Sequence, residues 1–188
     1  MNKYLIVGLG NPGVEYENTR HNIGWIILDA LCQNIETPFK SERYALTNTV
    51  RHKGRILKLI KPTTYMNLSG KAVRYWLEKE NIPIENMLVI SDDIDLDLGV
   101  LRIKTKGSGG THNGLNNIIE VMGTQNFSRL RFGIGHDYPQ GYQVEYVLGK
   151  FTTEEREFLK EKINFAVEAV KSFVTAGASY TMTHFNNK

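Results

Sequence analysis

Short strand-like runs and helix-period segments take turns along this chain, and that alternation leaves few folds open. Strands are expected over about 3–9, 43–50, 55–60, 87–91, 99–104 and 130–135, from β-branched and aromatic content and alternation. Helices are expected over about 22–35, 69–81, 113–123 and 153–175. Strands and helices interleaved in this way predict one α/β domain over residues 1–188, a mixed, mostly parallel twisted sheet with helices on both faces. In such sheets ligands collect beyond the carboxyl ends of the strands. The segments after 3–9, 55–60, 87–91 and 99–104 are therefore the places to seek a site.

Local signals support the element boundaries. His52-Lys53-Gly54 reads as a hairpin turn between two strands. Ser69 is placed to cap a helix whose Ala72, Val73, Trp76 and Leu77 share a face. Thr152 and Glu155 form a capping-box pattern, followed by Leu159, Ile163, Ala166, Val170 and Phe173 at helical spacing, with Gly177 as a stop. The last ten residues, SYTMTHFNNK, predict nothing, and His184 there reads as a solvated side chain.

Composition narrows the setting. No run approaches ~18 apolar residues, so no membrane span is expected. The start of the chain has the character of a strand and not of a leader, which predicts the cytoplasm. Cys32 is the only cysteine and falls in an apolar helical run, so neither a disulfide within the chain nor a cysteine nucleophile is expected. The net charge of +3 says little about nucleic acid, but its placement says more. Arg51, Lys53, Arg55, Lys58 and Lys61 crowd one stretch. Arg102, Lys104 and Lys106 alternate along another, which on a strand makes a basic stripe.

The first candidate segment is GLGNPGVEYENTRHNIG. Gly8, Gly10 and Gly13 spell the dinucleotide fingerprint, which needs a helix to open inside the motif. Here apolar periodicity begins only near Ile23, after about nine polar residues, so the reading fails. A phosphate-binding P-loop fails too, with Val14 and Glu15 where Lys and Ser/Thr are needed. The segment reads instead as a loop carrying Asn11, Tyr16, His21 and Asn22 to a cleft.

The second segment, KPTTYMNLSGKAV, offers Asn67 as an amide that both donates and accepts. The third, SDDIDLDLG, crowds Asp92, Asp93, Asp95 and Asp97 at a strand end. A calcium loop fails there, because Leu98 and Lys104 stand where a glycine and a glutamate are required. One carboxylate orienting a histidine is the alternative. The fourth, KGSGGTHNG, is a glycine-rich approach to a helix N-terminus beside Lys104 and Lys106, suited to phosphate.

The five histidines show no zinc-site spacing, and no G-x-S-x-G elbow is present. Neither a metal nor a cofactor is expected. What remains is a histidine acting as a base on water, oriented by an aspartate, with asparagines holding a carbonyl. That set suffices for ester hydrolysis. Two rival readings are a nucleotide-binding oxidoreductase, carried by the glycines alone, and a non-catalytic RNA-binding module, carried by the basic stripe.

These four segments and RLRFGIGH, in this order from Tyr4 to about Phe151, resemble the bacterial-type peptidyl-tRNA hydrolase family. The resemblance implies hydrolysis of the ester joining a peptide to the terminal ribose of tRNA. It assigns His21 as general base. Counting back from Asp95-Leu96-Asp97-Leu98-Gly99 selects Asp92, not Asp93, as the group that orients it. Asn11 would meet the peptide and help reject unblocked aminoacyl-tRNA, while Asn67 and Asn113 would place water, carbonyl and the tRNA 3′ end. Tyr16 and Tyr65 match substrate-lining positions, and Arg102, Lys104 and Arg131 match phosphate contacts. The chain departs from the family in the loop before His112, where Gly-Ser-Gly-Gly-Thr replaces a glycine-histidine-glycine-glycine run. A cofactor-independent, monomeric enzyme acting on peptidyl-tRNA is the resulting expectation.

Overall fold

A computed structural model describes residues 2–188. The strands are β1 (Lys3–Gly8), β2 (Lys40–Glu42), β3 (Ala45–His52), β4 (Arg55–Pro62), β5 (Met87–Asp93), β6 (Leu101–Lys104) and β7 (Ser128–Gly133). The helices are α1 (Ile23–Leu31), α2 (Ser69–Lys79), α3 (Asn113–Met122), α4 (Gln143–Val147), α5 (Thr153–Ala176) and α6 (Ala178–Phe185). All strands join one sheet in the order β2-β3-β4-β1-β5-β7-β6. The four central strands, β4, β1, β5 and β7, run parallel. The outer pairings β2–β3, β3–β4 and β6–β7 are antiparallel. The mixed, mostly parallel sheet with helices on both faces is the expected architecture.

Alternation along the central strands explains the two layers. Ile6, Leu57, Leu59, Leu88 and Ile90 point to one face and pack with α1 and α5 residues such as Ile27, Leu28, Val170 and Phe173. Leu5, Val7, Met87 and Val89 point to the other and pack with Val73, Trp76, Leu115 and Ile118 of α2 and α3. Strands buried on both faces read as continuous apolar runs, as 3–9 and 87–91 do.

The fingerprint glycines serve packing. A Cβ at Gly8 would lie 2.5 Å from the Gly24 carbonyl oxygen, and one at Gly10 would lie 2.6 Å from the Trp25 ring. They let α1 approach β1, while residues 14–22 form two short 3₁₀ turns.

Several expectations need correction. Ser69 is no side-chain cap; its hydroxyl donates to the Met66 carbonyl at 2.7 Å, inside the turn that precedes α2. α1 ends at Leu31, four residues earlier than periodicity predicts. The short β2, α4 and α6 were not foreseen. The C-terminal residues are well used: Asn186 pairs with both backbone groups of Ile103, and the Asn187 N–H donates to the Leu101 carbonyl. This covers the free edge of β6, which would otherwise invite pairing with another chain. Lys58 and Lys61 of the basic stretch are buried and tied to Glu42, Glu80 and Asp29, so their charges are already paired within the chain. Among the described residues no helix is long and apolar enough to cross a membrane.

Candidate active site

A cleft of about 430 Å³ opens where β1, β4 and β5 end, and its lining includes Asn11, His21, Asn67, Asp92, His112 and Asn113. They come from four segments: Asn11 and His21 from the one after β1, Asn67 from the one after β4, Asp92 from the end of β5, and His112 and Asn113 from the entry to α3. His21 sits in the 3₁₀ turn Arg20–Asn22 directly before α1. Asp92 is the penultimate residue of β5. His112 is the N-cap of α3.

His21 Nδ1 lies 2.9 Å from both carboxylate oxygens of Asp92. Nδ1–H therefore donates, and Nε2 is left as the basic nitrogen with no protein partner among the described residues. His112 Nε2 reaches Asp92 Oδ1 at 2.9 Å, while its Nδ1 accepts the Leu115 backbone N–H at 3.2 Å. An accepting Nδ1 carries no proton, so His112 is held as the Nε2–H tautomer and also donates to Asp92. The two rings lie 4.9 Å apart between centroids.

Electrostatics follow from this geometry. Burial works against the His21 imidazolium, but the Asp92 charge and its hydrogen bond outweigh it, and the His21 pKa is raised above its ordinary value. Burial alone would push Asp92 upward; the two histidines reverse this and hold it below the usual carboxylate range. Asp93 also lines the cleft but meets no histidine, accepting the Asp95 N–H at 2.8 Å and lying 3.7 Å from Arg131.

His21, Asp92 and His112 bring three potential metal-ligating atoms within 4.8 Å of one another, a grouping that sequence spacing could not reveal. The fit to a metal is poor. His112 Nε2 must keep its proton while Nδ1 accepts from Leu115, and a protonated nitrogen cannot ligate. The three form a hydrogen-bonded cluster.

Asn11 is oriented by its surroundings. Its Oδ1 accepts the Met66 N–H at 2.7 Å, which turns its amide NH₂ toward the cleft. Tyr65 makes this possible by turning the chain at φ 64°, a conformation costly for a non-glycine residue. Asn22 is buried and does not line the cleft; its side chain exchanges two 2.9 Å hydrogen bonds with the Asn11 backbone.

The remaining predicted residues divide. Tyr65, Asn67 and Asn113 line the cleft with free polar or aromatic surface, while Arg131 lines it with a guanidinium already donating to the Ser108 carbonyl at 2.7 Å and lying 3.7 Å from Asp93. Tyr16, Arg102 and Lys104 stand outside it. Arg102 pairs across the β6–β7 ladder with Arg131, which extends the basic surface away from the cleft, and its guanidinium donates to Asn187. Sequence reasoning missed His112 as a member of the cluster and missed the wall made by Gln143, Val144, Val147 and Leu148. The first signal was present, since a histidine directly before a helix can cap it; the second lay in a segment with no clear periodicity.

A histidine hydrogen-bonded to a buried carboxylate, at the carboxyl end of an α/β sheet and ringed by asparagines, is an arrangement suited to a hydrolase. Comparison with known proteins gives the family. The family model described as peptidyl-tRNA hydrolase matches residues 5–188, and the chain belongs to that family. A peptidyl-tRNA hydrolase from Bacteroides fragilis is 55% identical over 99% of this chain and 100% of its own length. One from Phocaeicola vulgatus is 54% identical over the same shares. The crystal structure of the Acinetobacter baumannii peptidyl-tRNA hydrolase superposes with a TM-score of 0.90 at 36% identity, covering 98% of this chain and 95% of that one.

Proposed function

We propose that the cleft hydrolyses the ester between a peptide and the terminal ribose of tRNA, with His21 as general base. A water molecule gives its proton to His21 Nε2 as its oxygen attacks the ester carbonyl carbon. Asp92 fixes the Nδ1–H tautomer and stabilises the imidazolium that forms. The tetrahedral intermediate collapses with departure of the ribose oxygen, which recovers the proton from His21. The products are a peptide carboxylic acid, which releases its proton to solvent, and a tRNA bearing a free hydroxyl, and no covalent bond to the protein forms. General-base assistance of this kind supplies about 10² to 10⁴ in rate.

Asn11 presents its amide N–H to the peptide, because its oxygen is already engaged by Met66. Asn67 and Asn113 hold the carbonyl, the water and the tRNA 3′ end, and amide donors at the developing oxyanion add on the order of 10² to 10³. Tyr65 offers a ring to the terminal base, and Arg131 and the neighbouring Arg102 and Lys104 meet phosphates. The enzyme acts as a monomer in the cytoplasm, without a cofactor. The observation that carries this reading is the His21–Asp92 contact at 2.9 Å with Nε2 unpartnered beside three asparagines. The test compares N-acetyl-aminoacyl-tRNA with its unblocked counterpart. Cleavage of the blocked ester alone supports the reading; cleavage of neither, with tRNA still bound, would leave a binding module.

A further inference from the structure

We propose that Arg20 is a positioning residue that locks the α4 wall of the cleft to the turn carrying His21, so that a peptide seated on that wall is sensed at the base. This rests on hydrolysis at His21 as described above.

Arg20 precedes His21 in the same 3₁₀ turn, yet its side chain leaves the turn and is largely buried against α4 and the start of α5. One Nη donates to the Tyr146 carbonyl at 3.1 Å, and the other donates to Glu155 at 3.0 Å. The guanidinium lies 4.1 Å from the centre of the Tyr146 ring and 5.7 Å from that of Phe151. Its Nε is buried with no partner among the described residues. Gly149 leaves room for the approach: a Cβ there would lie 2.9 Å from an Arg20 nitrogen. The backbone joins the same two segments, through the Arg20 N–H donating to Gly149 and the isolated bridge between Thr19 and Lys150.

What this arrangement holds is a wall with exposed apolar side chains. Val144 is 65% exposed and Leu148 is 36% exposed, and both line the cleft. Apolar side chains of the peptide moiety can bury against them. Two planar contacts, a carbonyl and a carboxylate at an angle with ring stacking between, are what a guanidinium supplies and an ammonium does not.

The test uses single-turnover cleavage of N-acetyl-aminoacyl-tRNA and of a blocked tripeptidyl-tRNA with apolar residues, together with the affinity for deacylated tRNA. Arg20→Met and Arg20→Lys are expected to lose on the order of tenfold to a hundredfold in rate, as small misplacements of reacting groups do. Any rate advantage of the longer peptide should shrink toward one, with deacylated tRNA bound as before. Glu155→Gln keeps an acceptor oxygen for Arg20 and should lose less. Hydrogen exchange over 143–149 should rise in Arg20→Lys while the central strands stay protected. Wild-type rates and length preference in a folded Arg20→Met would overturn the proposal. So would a rate loss in Arg20→Lys matched by lost tRNA affinity and exchange throughout the sheet, which marks a general structural role. Should Arg20→Met fail to fold, Arg20→Lys and Glu155→Gln decide the matter. Absence of cleavage by the wild type would instead refute hydrolysis itself.

Discussion

His112 donates to the same Asp92 oxygen that His21 uses, each at 2.9 Å. The carboxylate is thus fixed from two sides, and the second donor is itself fixed by capping α3. His112→Ala should lower the rate by about tenfold, less than loss of Asp92, because one of two restraints on the carboxylate remains. It should also lower stability by about 1 kcal/mol through the lost cap. Single-turnover rates and denaturant melts measure the two effects separately.

Asp92→Asn should reduce turnover by about 10² to 10⁴, because the amide no longer selects the His21 tautomer with a basic Nε2. Asp93→Asn should cost far less, since Asp93 contacts Asp95 and Arg131 and not a histidine. Equal losses in the two variants would contradict the assignment.

The pH profile carries a sign. His21 must be neutral to accept a proton, and its pKa is raised, so activity should fall on acidification starting above pH 6.5. In Asp92→Asn the raising influences vanish while burial remains, so the acidic limb of the residual activity should move to lower pH. For the fold, the raised value means that charging His21 stabilises fully below its unfolded pKa while Asp92 stays ionised, and this contribution is lost as pH rises through the folded pKa of His21. An acidic limb that stays in place in Asp92→Asn would disconnect it from His21.

Asn11→Asp preserves an acceptor for the Met66 N–H but replaces the amide donor with a charge. The variant should fold and should lose preference for the blocked ester over the free amine, or reverse it, since a carboxylate attracts an ammonium. Comparing rates on the two esters checks this.

Affinity for tRNA should fall steeply with salt, by a slope of about −0.7 to −0.9 per phosphate neutralised. Lys104→Ala should reduce that slope by about one. Arg131→Ala should reduce it by less, because Arg131 is already paired with Asp93. Lys58→Ala and Lys61→Ala should leave it unchanged, because both lysines are buried and already paired with carboxylates. Binding titrations over a salt series measure the slopes.

Which parts of this were legible in the sequence follows from the range of the interactions. The central strands and the α5 capping box announce themselves through neighbours a few residues apart, as Thr152 and Glu155 do at 2.8 and 3.1 Å. His21 and Asp92 were found through motif resemblance, with the register of the paired aspartates settled by counting. His112 escaped because its significance lies in a contact to a residue 20 positions away. Asn22 was misplaced at the cleft because nothing local tells an amide that binds substrate from one that braces Asn11. The tail defeated prediction for a similar reason: Asn186 acts on Ile103, 83 positions distant.

The most direct test is single-turnover hydrolysis of N-acetyl-aminoacyl-tRNA by the wild type and by His21→Ala, with deacylated-tRNA affinity measured alongside. A loss of at least two orders of magnitude in rate, with affinity nearly unchanged, is the predicted result. Cleavage by His21→Ala at the wild-type rate would contradict the claim that this histidine activates the water.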